Sequence, residues 1–183
     1  MPTTFDPHSL RELFPSLSQE VNGKQAIFFD GPGGTQVPQQ VIDAMVHYLS
    51  NDNCNLGAAF VTSERTGATV NAAREGMADF FNARHSEEIV FGQNMTSLTF
   101  AASRAIAQTW KPGEEIVVTR LDHDANITPW ILAAADRDVT VRWLDMRTED
   151  CTLMLDKLPE MLNEKTRLVA VTFASNAVGT IVD

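Results

Sequence analysis

Residues 115–144 read EIVVTRLDHDANITPWILAAADRDVTVRWL. A short β-branched run, Glu115 to Thr119, gives way to a stretch apolar at helical spacing, Ile127 to Ala135. A second β-branched run follows, Val139 to Leu144. Ile116-Val117-Val118 is apolar on both faces of a pleated strand and therefore needs cover on both sides. Two such strands with a helix between them are joined by a crossover and lie parallel.

The alternation continues outward in both directions. Glu88 to Phe91 reads as a strand and Thr96 to Trp110 as a helix. On the far side, Leu155 to Leu162 reads as a helix and Arg167 to Phe173 as a strand. The expected fold class is α/β, a mainly parallel sheet with helices on both faces. Nearer the N-terminus the spacing predicts a long helix from Ser63 to Asn82. Its buried face would carry Thr66, Val70, Ala73, Met77, Phe80 and Phe81. An irregular stretch with Gly57 precedes it, and before that a helix behind Pro38 with Val41, Met45 and Leu49 on one side. Gln25 to Phe29 reads as a strand, and Ser9 to Phe14 as a short helix capped by Ser9 and stopped by Pro15.

At 183 residues the chain can build one sizeable core. Its formal net charge of -10 argues against nonspecific nucleic-acid or anionic-membrane partners, which need a basic surface. A small anionic cofactor held by a few local groups stays compatible with it. No apolar run approaches the ~20 residues of a membrane helix. The N-terminus lacks the basic start and apolar core of a secretion signal, so a cytoplasmic location is expected. Cys54 and Cys151 stand far apart without a CxxC neighbour, which offers neither a disulfide framework nor a zinc ligand set, and no metal site is expected.

Parallel sheets place ligands at the carboxyl ends of their strands, so three loops matter. In Gly92-Gln93-Asn94-Met95-Thr96-Ser97, Gly92 permits a tight turn and Asn94 or Thr96 can cap the helix. The unpaired first-turn N–H groups then make a phosphate site, or simply an ordinary capped helix. Neither GxGxxG nor GxxxxGK[ST] occurs, so dinucleotide and P-loop readings lack their fingerprints. In Asp122-His123-Asp124-Ala125-Asn126, one imidazole lies between two carboxylates, which favour its protonated form. The ring could stack on a planar cofactor or be a surface histidine at a helix cap. In Ser175-Asn176-Ala177-Val178-Gly179-Thr180, the chain could make a plain turn, or Asn176 could aim a carboxamide into a cleft.

Together these segments resemble one family. Thr166 to Thr180 is similar to the "KTRLV…SNxxGT" segment of cysteine desulfurases and their class V aminotransferase relatives. His123 to Trp130 resembles the family's "HHANxxPW". Glu87 to Phe91 followed by Asn94 to Ser97 resembles its "EEIVF…TT" phosphate loop, and Phe29 to Pro38 its opening "LDxAAxxxxP". The resemblance implies an incomplete large domain of the aspartate-aminotransferase-like PLP-transferase fold. Residues 1–24 would be an N-terminal arm packing with a small domain, and residues 25–183 part of the pyridoxal-phosphate-binding large domain.

It also implies a cofactor, pyridoxal 5'-phosphate, an amino-acid substrate and a homodimer. Met95 and Thr96 would lie against the cofactor phosphate, His123 would stack on the pyridine ring, and Asn176 would hydrogen-bond the ring's phenolic oxygen. Gly33 and Gly34 would approach the substrate carboxylate. Ser97 stands where desulfurases usually carry an acidic residue, and Asn55-Leu56-Gly57 where they often carry a basic pair before glycine. Both departures leave the substrate open.

The family's aspartate for the pyridine nitrogen and its Ser-x-His-Lys segment have no counterpart in the 183 residues. Lys24, Lys111, Lys157 and Lys165 are the only lysines, and none stands in the family's lysine context. No catalytic residue is assigned for that reason. The expectation is a truncated product without covalent catalysis, whose N-terminal arm is loosely held. Two other readings stay open: a noncatalytic interaction or regulatory domain reusing the half-fold, and an unrelated α/β phosphate-binding enzyme.

Overall fold

The computed structural model describes residues 6–183. The chain forms two compact units, Met1–Val90 and Phe91–Asp183.

The first unit opens with α1, Pro7–Arg11. Asp6 caps it, accepting from the His8 N–H at 3.0 Å, so the cap is three residues earlier than the expected Ser9. Pro7 explains the shift, because its missing N–H and fixed φ suit the first helical position. Ser9 instead donates its hydroxyl to the Asp6 carbonyl. Pro15 does not end this helix but starts a 3-10 turn, Pro15–Ser18.

Two-residue strands β1 (Glu20–Val21) and β2 (Lys24–Gln25) form an antiparallel hairpin. The expected strand Gln25 to Phe29 is not made. Its alternation is visible, with Ala26 and Phe28 half-buried and Ile27 and Phe29 exposed. The Ala26 N–H still bonds the Gln19 carbonyl, but beyond it the run has no ladder partner among the described residues, and a strand exists only as a pairing. The described part of the arm makes two ties to the chain that follows it: Gln39 donates its N–H to the Leu13 carbonyl, and the Gln25 side chain donates to the Leu17 carbonyl.

Helix α2 spans Gln39–Asn51 with Pro38 as its N-cap residue, and α3 spans Val61–Phe81. Both differ from expectation in what they bury. No residue of α2 is buried. In α3 the buried residues are Ser63, Thr66 and Ala78, while Phe80 and Phe81 stay exposed and pack edge-on against each other. The α2–α3 junction is fastened by polar groups. The Thr66 hydroxyl donates to the Asp52 carbonyl at 2.7 Å, and the buried Asp52 carboxylate pairs with Arg65. Asn82 ends α3 in the left-handed conformation. Glu88 to Phe91, also expected as a strand, has a 3-10 turn at Ser86–Glu88 and then unpaired chain.

The second unit carries the alternation cleanly. Helix α4 (Met95–Ala107) leads to β3 (Glu115–Thr119), α5 (Thr128–Ala135), β4 (Thr140–Leu144), α6 (Leu158–Met161) and β5 (Thr166–Val169). The strands form one parallel sheet in the order β4-β3-β5. Ile116, Val117 and Val118 on the central strand are fully buried. Ile116 and Val118 pack with Trp110 and with Trp130, Ala133 and Ala134 of α5. Val117 packs on the other face with Leu144, Leu153 and the segment running into α6. The sheet is therefore covered on both sides, as its sequence requires.

Two elements are shorter than their apolar runs. Pro159 has no N–H to give, so Leu155–Lys157 tightens into a 3-10 turn and α6 restarts with the proline in its first turn. Strand β5 stops at Val169, and the Ala170 N–H makes a last bond to Val117. Past that point the Thr172 N–H goes to the Asp122 carboxylate rather than to a neighbouring strand.

Candidate functional site

The three loops at the carboxyl ends of this unit enclose a cavity of about 570 Å³. Met95, Thr96, Asp122, His123, Thr172 and Asn176 are among its walls. A smaller cavity of about 420 Å³ in the first unit is lined by Arg11, Glu12 and Gln39 and lies away from the parallel sheet.

The first wall is the start of α4. Asn94 is the cap, and its side-chain oxygen accepts the Ser97 N–H at 2.9 Å. The N–H groups of Met95 and Thr96, at the first two helical positions, have no carbonyl one turn earlier to meet. The helix is 13 residues long, enough for its dipole to add partial positive charge there. Gly92 serves this end in an unforeseen way. Its φ is not in the left-handed region. Instead, a Cβ at Gly92 would stand 2.5 Å from Leu98 Cδ2 and 2.6 Å from its Cγ, so only glycine lets the first turn of α4 fold back over it.

The second wall is the loop after β3. His123 precedes a 3-10 turn, Asp124–Asn126, and its Nδ1 accepts the Ala125 N–H at 2.9 Å. That contact ties the ring to its own loop, and the carboxylates on either side of it are engaged elsewhere. Asp124 accepts from the Thr128 hydroxyl. Asp122 accepts from the Thr119 hydroxyl, the Asn126 amide and the Thr172 N–H.

The third wall is the loop after β5. It is a turn: Gly179 has φ +74, its N–H bonds the Ser175 carbonyl, and Ser175 N–H bonds Thr180. The buried Ser175 hydroxyl accepts from the N–H groups of Ala177 and Val178. This frame leaves Asn176 on the cavity wall.

The structure thus brings Met95, Thr96, His123 and Asn176 together. Gly33 and Gly34 belong to the first unit, in a turn closed on the Asp30 carbonyl, and are not among the residues lining this cavity. None of the four lysines lines it either. Asn126 and Thr172 had no role in the sequence reading, and Asp122 entered it only as a charged neighbour of His123. One signal was available: Asp122, Asn126 and Trp130 stand four apart, the spacing of neighbours on one helical face. Among the described residues no group of three or more His, Cys, Asp or Glu could hold a metal, and no helix is long and apolar enough to cross a membrane.

A parallel sheet covered on both faces, with a helix N-terminus, an imidazole and a carboxamide around one cavity at its strand ends, defines an α/β protein with a candidate site for a phosphorylated ligand. Residues 27–183 match the aminotransferase class-V family, and the chain belongs to that family. It is 37% identical over 179 residues to a cysteine desulfurase of Synechococcus elongatus, covering 97% of this chain and 28% of that protein. A cysteine desulfurase of Pectobacterium atrosepticum is 35% identical, over 94% of this chain and 42% of the relative.

Among solved structures, the apo cysteine desulfurase of Thermococcus onnurineus superimposes with a TM-score of 0.86 at 26% identity, covering 100% of this chain and 44% of that one. The Escherichia coli cysteine desulfurase CsdA gives 0.81, also at 26% identity, over 99% and 44%. The chain therefore spans less than half the length of these proteins. Members of the family depend on pyridoxal phosphate, and one structural neighbour holds glycine covalently linked to that cofactor.

Proposed function

We propose that this chain forms part of the pyridoxal-phosphate site of a cysteine desulfurase-like enzyme acting on an amino acid. The observation that carries the reading is the convergence of Met95, Thr96, His123 and Asn176 on one cavity. The donor set suits the cofactor. Two free N–H groups and the Thr96 hydroxyl at a helix N-terminus match a phosphate, a fixed imidazole ring matches an aromatic face, and a carboxamide matches a phenolic oxygen. When bound, the cofactor supplies an electron sink for bonds at the amino acid's α-carbon.

The chain's own residues orient that group. The N–H groups of Met95 and Thr96 hold the phosphate end. His123, locked by Ala125, covers one face of the ring. Asn176, framed by Ser175, donates to the ring oxygen. For Gly33 and Gly34 the reading rests on the family resemblance alone, as backbone near the substrate carboxylate. Residues 1–24 are read in the same way as an arm that packs with a small domain, and the active enzyme as a homodimer. The lysine that holds the cofactor covalently is not one of the four present, so the 183 residues alone are expected to bind without turnover.

The test is titration of the chain with pyridoxal phosphate, followed by quenching of its three tryptophans, all in the second unit. Saturable quenching is expected, with no competition from nucleotides. His123→Ala should weaken binding about threefold to tenfold, the range of one aromatic contact. Equal competition by a nucleotide would favour the unrelated phosphate-binding reading, and absence of saturation would overturn cofactor binding by this chain.

A further inference from the structure

We propose that Asp122 is a positioning residue that holds two walls of the cavity in register. The inference rests on the site reading above.

Three donors from three segments converge on its carboxylate. The buried Thr119 hydroxyl, at the end of β3, donates to Oδ2. The Thr172 N–H, in the chain leaving β5, donates to the same oxygen at 3.1 Å. Asn126 Nδ2 donates to Oδ1 at 2.6 Å. The Asn126 amide cannot be turned round. Its own oxygen accepts the Trp130 indole N–H at 3.0 Å, and an indole N–H only donates. A relay thus runs from a buried core tryptophan through Asn126 to Asp122, and from there to both loops.

The consequence reaches the residues that face the ligand. Asp122 is the immediate neighbour of His123, so fixing its carboxylate fixes the backbone from which the imidazole projects. Thr172, tethered by its N–H, donates its own hydroxyl to the Ala174 carbonyl at 2.7 Å. That holds the segment leading into Ser175 and Asn176. One carboxylate therefore sets the spacing between a ring-covering group and a carboxamide donor. No backbone ladder can do this, because β5 has already left the sheet.

Only a carboxylate meets all three donors. An asparagine at 122 has one accepting oxygen. If its NH2 takes the Oδ1 place, it faces the NH2 of Asn126, which Trp130 holds fixed. If it takes the Oδ2 place, it faces the Thr172 N–H. Either orientation leaves donors opposed.

Hydrogen exchange on the unliganded chain tests the tether directly. The Thr172 amide is expected to exchange at least about tenfold more slowly than that of Phe173, as an N–H bonded to a charged acceptor should. Equal rates in the unaltered chain would overturn the proposal without any variant being made. In Asp122→Ala, which removes both acceptors, the Thr172 protection is expected to vanish while amides of β3 keep theirs. Retained Thr172 protection would overturn the proposal.

A pyridoxal-phosphate titration separates this inference from the reading beneath it. If the unaltered chain binds, Asp122→Asn should weaken binding about tenfold or more, and unchanged affinity would remove the positioning role. If the unaltered chain does not bind, the site reading falls and the positioning role falls with it, while the exchange rates still decide whether the tether exists.

Discussion

At Gly92 a missing side chain does more than a present one could. A Cβ there would stand 2.5 Å from Leu98 Cδ2 and 2.6 Å from its Cγ, so Gly92→Ala must shift Leu98 and strain the first turn of α4 that carries it. Overpacking of this kind costs about 1–3 kcal/mol. Because the strained turn carries Met95 and Thr96, the substitution should lower both the unfolding midpoint and pyridoxal-phosphate affinity. An unchanged midpoint and affinity would mean that Leu98 moves aside freely.

Glu114 and Glu115 act at the opposite end of the sheet. A hydrogen bond from the Lys111 N–H, and then the Arg167 guanidinium, hold the Glu114 carboxyl below the ordinary glutamate range. Hydrogen bonds from Asn163 and then Arg142 do the same for Glu115. The unfolded chain then takes up protons at a higher pH than the folded one. Stability from these groups is complete above the ordinary glutamate range and is lost as the pH falls through the lower folded values. Melting curves from about pH 6 to about pH 3 should show a smaller acid loss for Glu115→Gln than for the unaltered chain. Parallel losses would remove Glu115 from the account.

Among the elements, the central strand bears most of the second unit's packing. Ile116 is fully buried between Trp110 and α5, so Ile116→Ala should cost roughly 2–5 kcal/mol in denaturant unfolding. Val169, on edge strand β5 and 37% exposed, should cost well under half as much. Equal losses would mean that the sheet is not stabilised from its centre.

The contrast explains what was legible in the sequence. The limits of β3 were readable to the residue, since a run apolar on both faces has one place to go, and β4, α4 and α5 were close. The runs at Gln25 to Phe29 and at Glu88 to Phe91 were equally strand-like. Propensity describes one chain, whereas a ladder needs two, and no periodicity reveals a missing partner. The buried face expected for α3 failed for the same reason, as Phe80 and Phe81 have no core to enter. Within the site, Met95, Thr96, His123 and Asn176 were legible from loop position and family resemblance. Asp122 was not, because its importance lies in Thr172, fifty residues away in the chain.

For the whole molecule, the apolar surface is the main physical fact. Val41, Met45 and Leu49 of α2, with Phe29, Phe60 and Phe80, are all more than 45% exposed in the first unit. Apolar exposure on this scale favours association. Light scattering on the 20.2 kDa chain is expected to give a mass that rises with concentration, and Met45→Glu should reduce the rise. A constant monomer mass at high concentration would show that the net charge of -10 outweighs the apolar faces. The order of the strands has a further consequence, for synthesis. Strand β3 is centre and template, yet its second neighbour, β5, is made about fifty residues later. On the ribosome the middle of the sheet must wait with one edge open, β4 on the other edge and earlier-made helices on its faces. The cavity's third side arrives last, so the pocket is the final part of this unit to come into being.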